Sequence, residues 1–595
     1  MDSDDPPRAA LDWTAEGAPR SVLFDDIYFQ PGAGLEESQA VFLEGCGLPQ
    51  AWRGRSRFVV GELGFGCGLN ILALLDLWRR EHAPGQHLHI VSIEAYPVTR
   101  AQAARALAAW PQLGDLAKVL LSAWPPLTPG FQRIDLPGLD AVIDLYVGEV
   151  AAGLCAWSGQ ADAWFLDGFS PAKNPQMWRS EVLALVAARS APGARLATFT
   201  VAGAVRRGLA DHGFAVDKRP GHGRKRERLE GRRPGAPGPE RDLGRIVVVG
   251  GGIAGASFAR AAAGQGLPVT MICGAPGASA NPAALVVPAF DVGERAGARL
   301  SAQAFLRAVD LYARETPDAV IGRGLVQLER DARDAARFDA LSRSRLFEPG
   351  TLQRLDAAAV AERLAEPLSR GGLLLSQALA IEPGVVVALW SAGAAQIEGR
   401  VDRMERTAGA WRLLDRTGRM LAEADTVLLA AGPGAPALGA PAIGIVRGQA
   451  TWAQGDWPGG PGAGAAWGGY AMPMRGGVLF GATHDRGDDA TDPRAEDDQR
   501  NLEQLRIVRP RLADALADAP LRARAALRAT TRDHQPLAGA APGLEQTYLL
   551  SGLGGRGFTT APLLAEHVVA LALGAPSPLC SDLAAIVDPA RSTAR

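Results

Sequence analysis

Short apolar runs rich in β-branched residues alternate with longer amphipathic segments along the whole chain. RFVVGEL (57–63), LHIVSIE (88–94), AVIDLYVG (141–148), AWFLD (163–167) and ARLATFT (194–200) predict buried strands. NILALLDLWRREH (70–82) has helical spacing. A second series starts with IVVV (246–249) and PVTMIC (268–273) and returns near the end in YLLSG (548–552). Such alternation predicts α/β architecture with sheets covered by helices. Between the two series lies PGAPGPERDLG (234–244), rich in Pro and Gly and without apolar periodicity. It reads as a linker over 232–243, dividing the chain into domains 1–231 and 244–595. A length of 595 residues, too great for one core, agrees with two domains. There are no internal repeats.

Composition adds exclusions. The 47% hydrophobic and 21% charged content is that of a globular enzyme. No stretch approaches the roughly 18 uncharged apolar residues of a membrane span. The acidic N-terminus (MDSDDPPRAALDW) lacks the order of a signal peptide. Cys46, Cys67, Cys155, Cys273 and Cys580 are scattered, without CxxC spacing, and support neither a disulfide framework nor a zinc site. The expectation is a cytoplasmic, metal-free, monomeric protein. Net charge is −2, yet residues 218–233 (KRPGHGRKRERLEGRR) carry eight Lys/Arg against two Glu. That run suits a phosphate backbone or, equally, a solvated linker edge.

GELGFGCGLN (61–70) places Glu62 at a strand end, followed by Gly64, Gly66 and Gly68. Glycines there let the backbone pass close to a ligand and turn into a helix. The next strand ends in Glu94, placed to accept ribose hydroxyls, and LYVGEV ends in Glu149, placed to hold an adenine amino group. Three strand-end acids in order with a glycine loop form the pattern of an S-adenosylmethionine methyltransferase. DAWFLDGFSPAKNPQMW (162–178) puts Asp167 at the carboxyl edge of the same sheet. It resembles the acid-Pro-Pro-aromatic loop of amino-group methyltransferases. A carboxylate there helps to present a desolvated amine as a nucleophile, so Asp167 is the catalytic candidate. Phe169, Pro171 and Trp178 are candidates to wall the pocket or stack a base, with core packing an equal reading for Trp178.

In the second series, Gly250, Gly252 and Gly255 aim a helix N-terminus, from about residue 254, at a pyrophosphate. The following strand ends in Cys273-Gly274, without the usual ribose-binding acid, which argues against a simple NAD site. Near the C-terminus, Gly552, Gly554, Gly555 and Gly557 form a late turn before a helix expected near Ala561–Pro562. A late glycine turn packed on the first one suits FAD. LRATTRDHQP (527–536) resembles the Leu-Arg-x-x-T-x-D-x-x-P segment of the D-amino-acid, glycine and sarcosine oxidases. In that family the Arg, here Arg528, holds the substrate carboxylate, a fork geometry suited to glycine-type acids.

Taken together, the chain resembles the family of bifunctional tRNA 5-methylaminomethyl-2-thiouridine biosynthesis proteins, the MnmC family. The matching stretches are GLEES (34–38), GELGFGCGLN, DAWFLDGFSPAKNPQMW, ATFTVAGAVRRGL (197–209) and GRKRERLEG (223–231). The GxGxxG strand, ASANPAALVVP (278–288), IVRGQ (445–449), GATHDR (481–486), RDHQP (532–536) and LGGRGFTTAPLLAE (553–566) follow in order. The resemblance implies a Rossmann-like S-adenosylmethionine methyltransferase domain joined to a C-terminal FAD-binding domain, D-amino-acid oxidase-like with a mixed sheet. It implies FAD-dependent removal of the carboxymethyl group from 5-carboxymethylaminomethyl-(2-thio)uridine in tRNA, then N-methylation of the aminomethyl product. It also shifts Arg224, Lys225 and Arg226 towards tRNA contact. The chain departs from the family pattern at Cys67, Ala280 and Gly555, and the last two bear on FAD affinity. A sarcosine-type oxidase fused to a small-amine methyltransferase, and a non-catalytic tRNA-binding protein, are the rival readings.

Overall fold

A computed structural model describes residues 8–223, 226–457 and 464–592. Arg224 and Lys225 lie outside the described residues. The chain divides into two compact units, Met1–Arg241 with Gly574–Ser581, and Asp242–Leu573 with Asp582–Arg595.

The first unit is built on an eight-stranded sheet. Its strands run in the order Ala215–Pro220, Glu227–Arg232, Ser190–Thr198, Ala161–Leu166, Arg57–Leu63, His87–Glu94, Ala141–Val147, Gly130–Leu136. The five strands from Ser190–Thr198 to Ala141–Val147 are parallel, and each is one that the apolar runs predict. The three antiparallel strands at the edges are not predicted. Two of them form a hairpin that carries the basic run, which is therefore edge strand rather than linker. Lys218 pairs with Glu227 at 2.8 Å and Arg228 with Glu230 at 2.6 Å, so part of its positive charge is balanced in place. Charged residues and Pro220 on the outermost strand also blunt an edge open to further pairing.

The Pro/Gly segment is tied down. Arg233 N donates to Ala194 O at 2.8 Å, and the Glu240 carboxylate accepts from the backbone amides of Ser56 and Arg57. Gly574–Ser581, counted with the second domain on sequence alone, groups with the first unit. There Arg133, which grips the buried Asp144 through two hydrogen bonds, also reaches Pro576 O at 3.5 Å.

In the second unit, a six-stranded sheet runs Ala395–Glu398, Val269–Cys273, Ile246–Val249, Thr426–Leu429, Thr547–Ser551, Leu537–Ala540, parallel except for the last strand. A ten-stranded mixed sheet pairs Gly444–Gln454 with Arg522–Thr530, placing Arg528 opposite Val446. The helices Ile253–Ala263, Ala296–Glu315 and Gly557–Leu573 meet at a buried ionic knot. Glu566 accepts from Arg307 at 2.7 and 3.1 Å and pairs with Arg260, which grips Glu315 at 2.6 Å.

The last helix begins at Gly557, earlier than the expected start near Ala561–Pro562. Proline inside a helix removes one N–H and leaves the carbonyl four residues back without its partner. Here that carbonyl is Phe558 O, and the buried Tyr312 hydroxyl donates to it at 2.7 Å. The helix survives its proline because a tertiary donor replaces the lost one.

Removing one member of a buried ion pair strands the other's charge. Glu566→Ala is therefore expected to cost about 3–5 kcal/mol in denaturant unfolding of the second unit. A loss below about 0.5 kcal/mol, the level of a surface change, would contradict the assigned role.

Candidate active sites

In the first unit the site gathers at the carboxyl ends of the parallel strands. Gly64, Gly66 and Gly68 all have positive φ (87°, 51° and 83°), and Gly68 starts the helix Leu69–Glu81. That helix start delivers Asn70 to the base of the site. Asn70 Nδ2 donates to Asp167 Oδ2 at 2.8 Å, while Ser38 Oγ lies 2.6 Å from Asn70 Oδ1. The other Asp167 oxygen accepts from Gly168 N at 2.8 Å. The GLEES and GLN stretches thus meet in one relay that orients the Asp167 carboxylate. Ser38 and Asn70 were visible in those stretches, yet nothing in their spacing assigns them this task.

Glu62 is fully buried. Ser92 Oγ donates to its Oε2 at 2.6 Å, whereas Oε1 makes no hydrogen bond of ordinary geometry. Burial is the main cause that pushes Glu62 up to about 8; Asp167 and Glu94 add to it, and Ser92 and Asn70 oppose it. Glu94 accepts from Gly66 N at 2.9 Å and Tyr96 N at 2.8 Å, and burial raises its pKa against those bonds. The orphaned Glu62 oxygen and the glycine cradle fit a cationic ligand of the S-adenosylmethionine type. Glu149 stands beside them, since Gly148 N bonds to Glu94 O at 2.9 Å. Its carboxylate caps the helix Val150–Ala156 through Ala151 N and Ala152 N and pairs with Arg179 at 3.1 Å. The adenine role expected of Glu149 thus competes with a cap and an ion pair.

Aromatic rings line the approach. Phe169 packs on Phe24 at 4.9 Å and edge-on to Tyr28 at 5.1 Å. Tyr28 covers Gly66, where a Cβ would lie 3.1 Å from its ring. Trp178 is buried and its indole donates to Phe169 O at 3.0 Å, so it supports the loop from behind. Lys173 binds the Asp25 carbonyl and the Asp26 carboxylate, joining the Asp167 loop to the segment that carries Phe24 and Tyr28. Of the basic run, Arg226 is described and exposed, in the turn where Gly221 N bonds to Arg226 O at 2.9 Å.

In the second unit, a Cβ on Gly255 would fall 1.8 Å from Gly250 O, and one on Gly250 2.4 Å from Ala430 O. The first approach sets the helix from Ile253 hard against its own strand, and the second sets the turn against the end of the strand Thr426–Leu429. Ser279 Oγ accepts from Ile253 N at 3.0 Å and would meet a Gly252 Cβ at 3.1 Å, so a hydroxyl already caps the first free amide. The start of this helix, with the Ser279 hydroxyl beside it, fits a pyrophosphate. Where a ribose acid is usual stands Cys273, whose Sγ would be 2.9 Å from a Gly251 Cβ. The late turn meets the first one: a Gly557 Cβ would touch Ile253 Cγ2 at 3.1 Å, and Gly554 N bonds to Ala529 O at 2.8 Å. Gly555 has open space at its Cβ position, so the serine of the family pattern would fit there, and only its hydroxyl is missing.

Arg528 lies next to Ala529 on that strand. Among the described residues its guanidinium makes no hydrogen bond or ion pair; its charge is felt by Tyr470 and His484. Gly448 of the IVRGQ stretch makes room for it, since a Cβ there would sit 2.4 Å from Nη2. The other members of that stretch serve the fold: Arg447 is fully buried on Asp497 at 2.6 Å, and Gln449 accepts from Arg494 N at 2.8 Å. Among the described residues no cluster of His, Cys, Asp and Glu suits a metal, and no helix is long and apolar enough to cross a membrane.

Residues 111–234 match a family model described as S-adenosyl-L-methionine-dependent methyltransferase, and residues 245–571 one described as FAD dependent oxidoreductase. The chain is 56% identical to the tRNA 5-methylaminomethyl-2-thiouridine biosynthesis bifunctional protein MnmC of Caulobacter sp. (strain K31), with 99% of each chain covered. It is 40% identical to the protein of the same name from Maricaulis maris (strain MCS10), over 95% of this chain and 93% of that one. Among solved structures it resembles glycine oxidase from Geobacillus kaustophilus at a TM-score of 0.50 and 21% identity, over 58% of this chain and 97% of that one. At that identity the likeness speaks to fold alone, and it agrees with the expected oxidase-like architecture of the second half.

Because the Glu62 pKa stands near 8 in the fold against an ordinary 4.5, its contribution to stability is full at low pH and is lost as pH rises through about 8. Glu62→Gln is expected to make the fall in unfolding temperature of the ligand-free protein between about pH 5 and pH 8 shallower. An equally steep fall in the variant would contradict this ionisation.

Proposed function

The chain belongs to the family of tRNA 5-methylaminomethyl-2-thiouridine biosynthesis bifunctional proteins, and on that premise we propose how its residues divide the work. It is a bifunctional enzyme with an S-adenosylmethionine-dependent methyltransferase domain and an FAD-dependent oxidoreductase domain. Its substrate is tRNA bearing a 5-carboxymethylaminomethyl group on the wobble uridine, and its setting is the cytoplasm. The oxidoreductase removes the carboxymethyl group to leave 5-aminomethyluridine, and the methyltransferase N-methylates that amine. The product of the oxidoreductase is the substrate of the methyltransferase, which is why the two domains share a chain.

The observation that carries this reading is the Arg528 guanidinium, without a hydrogen bond or ion pair among the described residues, on the strand beside the late glycine turn. The group to be removed is an N-substituted glycine, and a planar fork of donors holds its carboxylate at two points. Arg528 would thereby fix the carbon next to nitrogen relative to the cradle of Gly250, Gly252, Gly255, Gly554, Gly555 and Gly557. Bound FAD would supply the hydride acceptor, and S-adenosylmethionine the methyl group. In the first unit, Asn70 Nδ2 and Gly168 N each donate to one Asp167 oxygen and so orient its carboxylate at the strand end. Asp167 would accept an N–H of the neutral amine, aim its lone pair and stabilise the positive charge that develops on nitrogen as the methyl group leaves sulfur. Glu62 and Glu94 would face the cationic cofactor. Phe169 would stack on the extruded base with Trp178 bracing its loop. Arg224, Lys225 and Arg226 would follow the tRNA backbone.

Asp167→Asn is expected to lower methylation of aminomethyl tRNA by about 10²–10⁴-fold while leaving decarboxymethylation intact. Arg528→Lys is expected to do the reverse, raising KM for the carboxymethylaminomethyl tRNA, because a point charge does not replace a fork. If either change affected both reactions equally, the division of labour would be wrong. Turnover of free N-methylglycine with no activity on tRNA would favour a small-amine oxidase. Replacing Arg224, Lys225 and Arg226 by Ala should reduce the slope of log affinity against log salt by about 2–3, with saturated turnover retained. An unchanged slope would remove them from the tRNA surface.

A further inference from the structure

Arg556 is a second guanidinium in the oxidoreductase unit to which the reaction outlined above gives no task. It sits in the late glycine turn between two contacts already described. Two residues before it, Gly554 N bonds to Ala529 O, beside Arg528; one residue after it, Gly557 packs on Ile253, at the start of the pyrophosphate helix. It therefore lies between the point that would hold the substrate and the point that would hold the diphosphate. Among the described residues its side chain makes no hydrogen bond or ion pair. It remains open to solvent, yet the surrounding protein desolvates it enough to lower its pKa, with no charged neighbour contributing. A desolvated charge without a counter-charge is costly, and a ligand anion would offset that cost.

We propose that Arg556 is a further catalytic residue, placed against the pyrimidine edge of the flavin to hold the negative charge of its reduced form. The proposal rests on the FAD reading above. With FAD bound, the substrate carbon–hydrogen bond would break, its hydrogen and electron pair leaving as hydride to the flavin while the carbon–nitrogen bond becomes double. The added electron pair would leave one negative charge on the pyrimidine ring, and that is the charge Arg556 would hold. A cation there, aided by the positive end of the helix Gly557–Leu573, favours that state. Arg528 acts on the substrate and Arg556 on the cofactor, so the two are separable.

The test is the midpoint potential of the bound flavin, measured by dye equilibration without substrate in the full chain and in its Arg556→Met, Arg556→Lys and Arg528→Lys forms. Wild-type protein purified without flavin would refute the FAD reading itself. With flavin bound, R556M is expected to destabilise the reduced form about tenfold, which for a two-electron couple is about 30 mV more negative. R556K should recover most of the shift, and R528K should show none. A potential in R556M equal to wild type, or an equal shift in R528K, would overturn the proposal. If R556M loses its flavin, Arg556→Gln supplies the uncharged comparison. Loss of flavin from both, in folded protein, would assign the side chain to the diphosphate and overturn the proposal as well.

Discussion

A Cβ on Gly255 would lie 1.8 Å from the Gly250 carbonyl, and the arrangement of the oxidoreductase half depends on that contact being free. It lets the helix Ile253–Ala263 start directly beneath the strand Ile246–Val249 and point its bare amides outward. The same helix offers Arg260 to Glu566, and through Glu566 the last helix is held in line. Gly557 then rests on Ile253, and the late turn falls into place beside the strand of Arg528. Any side chain at Gly255 would push these elements apart at their common origin. The methyltransferase half repeats the device with Gly68, whose left-handed conformation launches the helix that carries Asn70 to Asp167.

The two halves place opposite charges at their sites. The first gathers Glu62, Glu94 and Asp167 where a sulfonium cofactor and an ammonium substrate would meet. Crowded together and buried, Glu62 and Glu94 titrate above their ordinary range, a cost that an arriving cation reverses. The second offers Arg528 and Arg556, neither paired among the described residues, where a carboxylate and an electron-rich ring would lie. The shared substrate changes charge between the two reactions. It enters the oxidoreductase carrying a carboxylate, and it enters the methyltransferase as an amine. Each site is tuned to one of those states.

The parallel core was legible because buried parallel strands are continuous apolar runs, and all five in the first unit were anticipated from that pattern. The glycine turns were legible because their conformations exclude other residues. The antiparallel edge strands were not, since AVDKRP and ERLEGR are too charged to register as strands and are held by pairing to a neighbour. The start of the last helix was missed because Pro562 reads as a beginning unless the Tyr312 hydroxyl, some 250 residues away in sequence, is known to replace the missing donor. The acids of the first site and Arg528 of the second could be named from motif position alone, whereas Arg556, in the late glycine turn, could not. Their positioning partners could not: Ser38, Asn70 and Ser92 are ordinary polar residues whose meaning appears only when three strands and a helix converge. Glu149 shows the converse, for a strand-end acid of the right type spends its oxygens on a helix cap and Arg179.

On the proposed function, one chain performs both reactions in a fixed order on tRNA. The most direct measurement is mass analysis of wobble nucleosides after tRNA carrying 5-carboxymethylaminomethyluridine is incubated with the purified protein, with and without S-adenosylmethionine. Aminomethyl nucleoside is expected without the methyl donor and methylaminomethyl nucleoside with it. Survival of the carboxymethyl group in both, or methylation of the nucleoside before that group is lost, would contradict it.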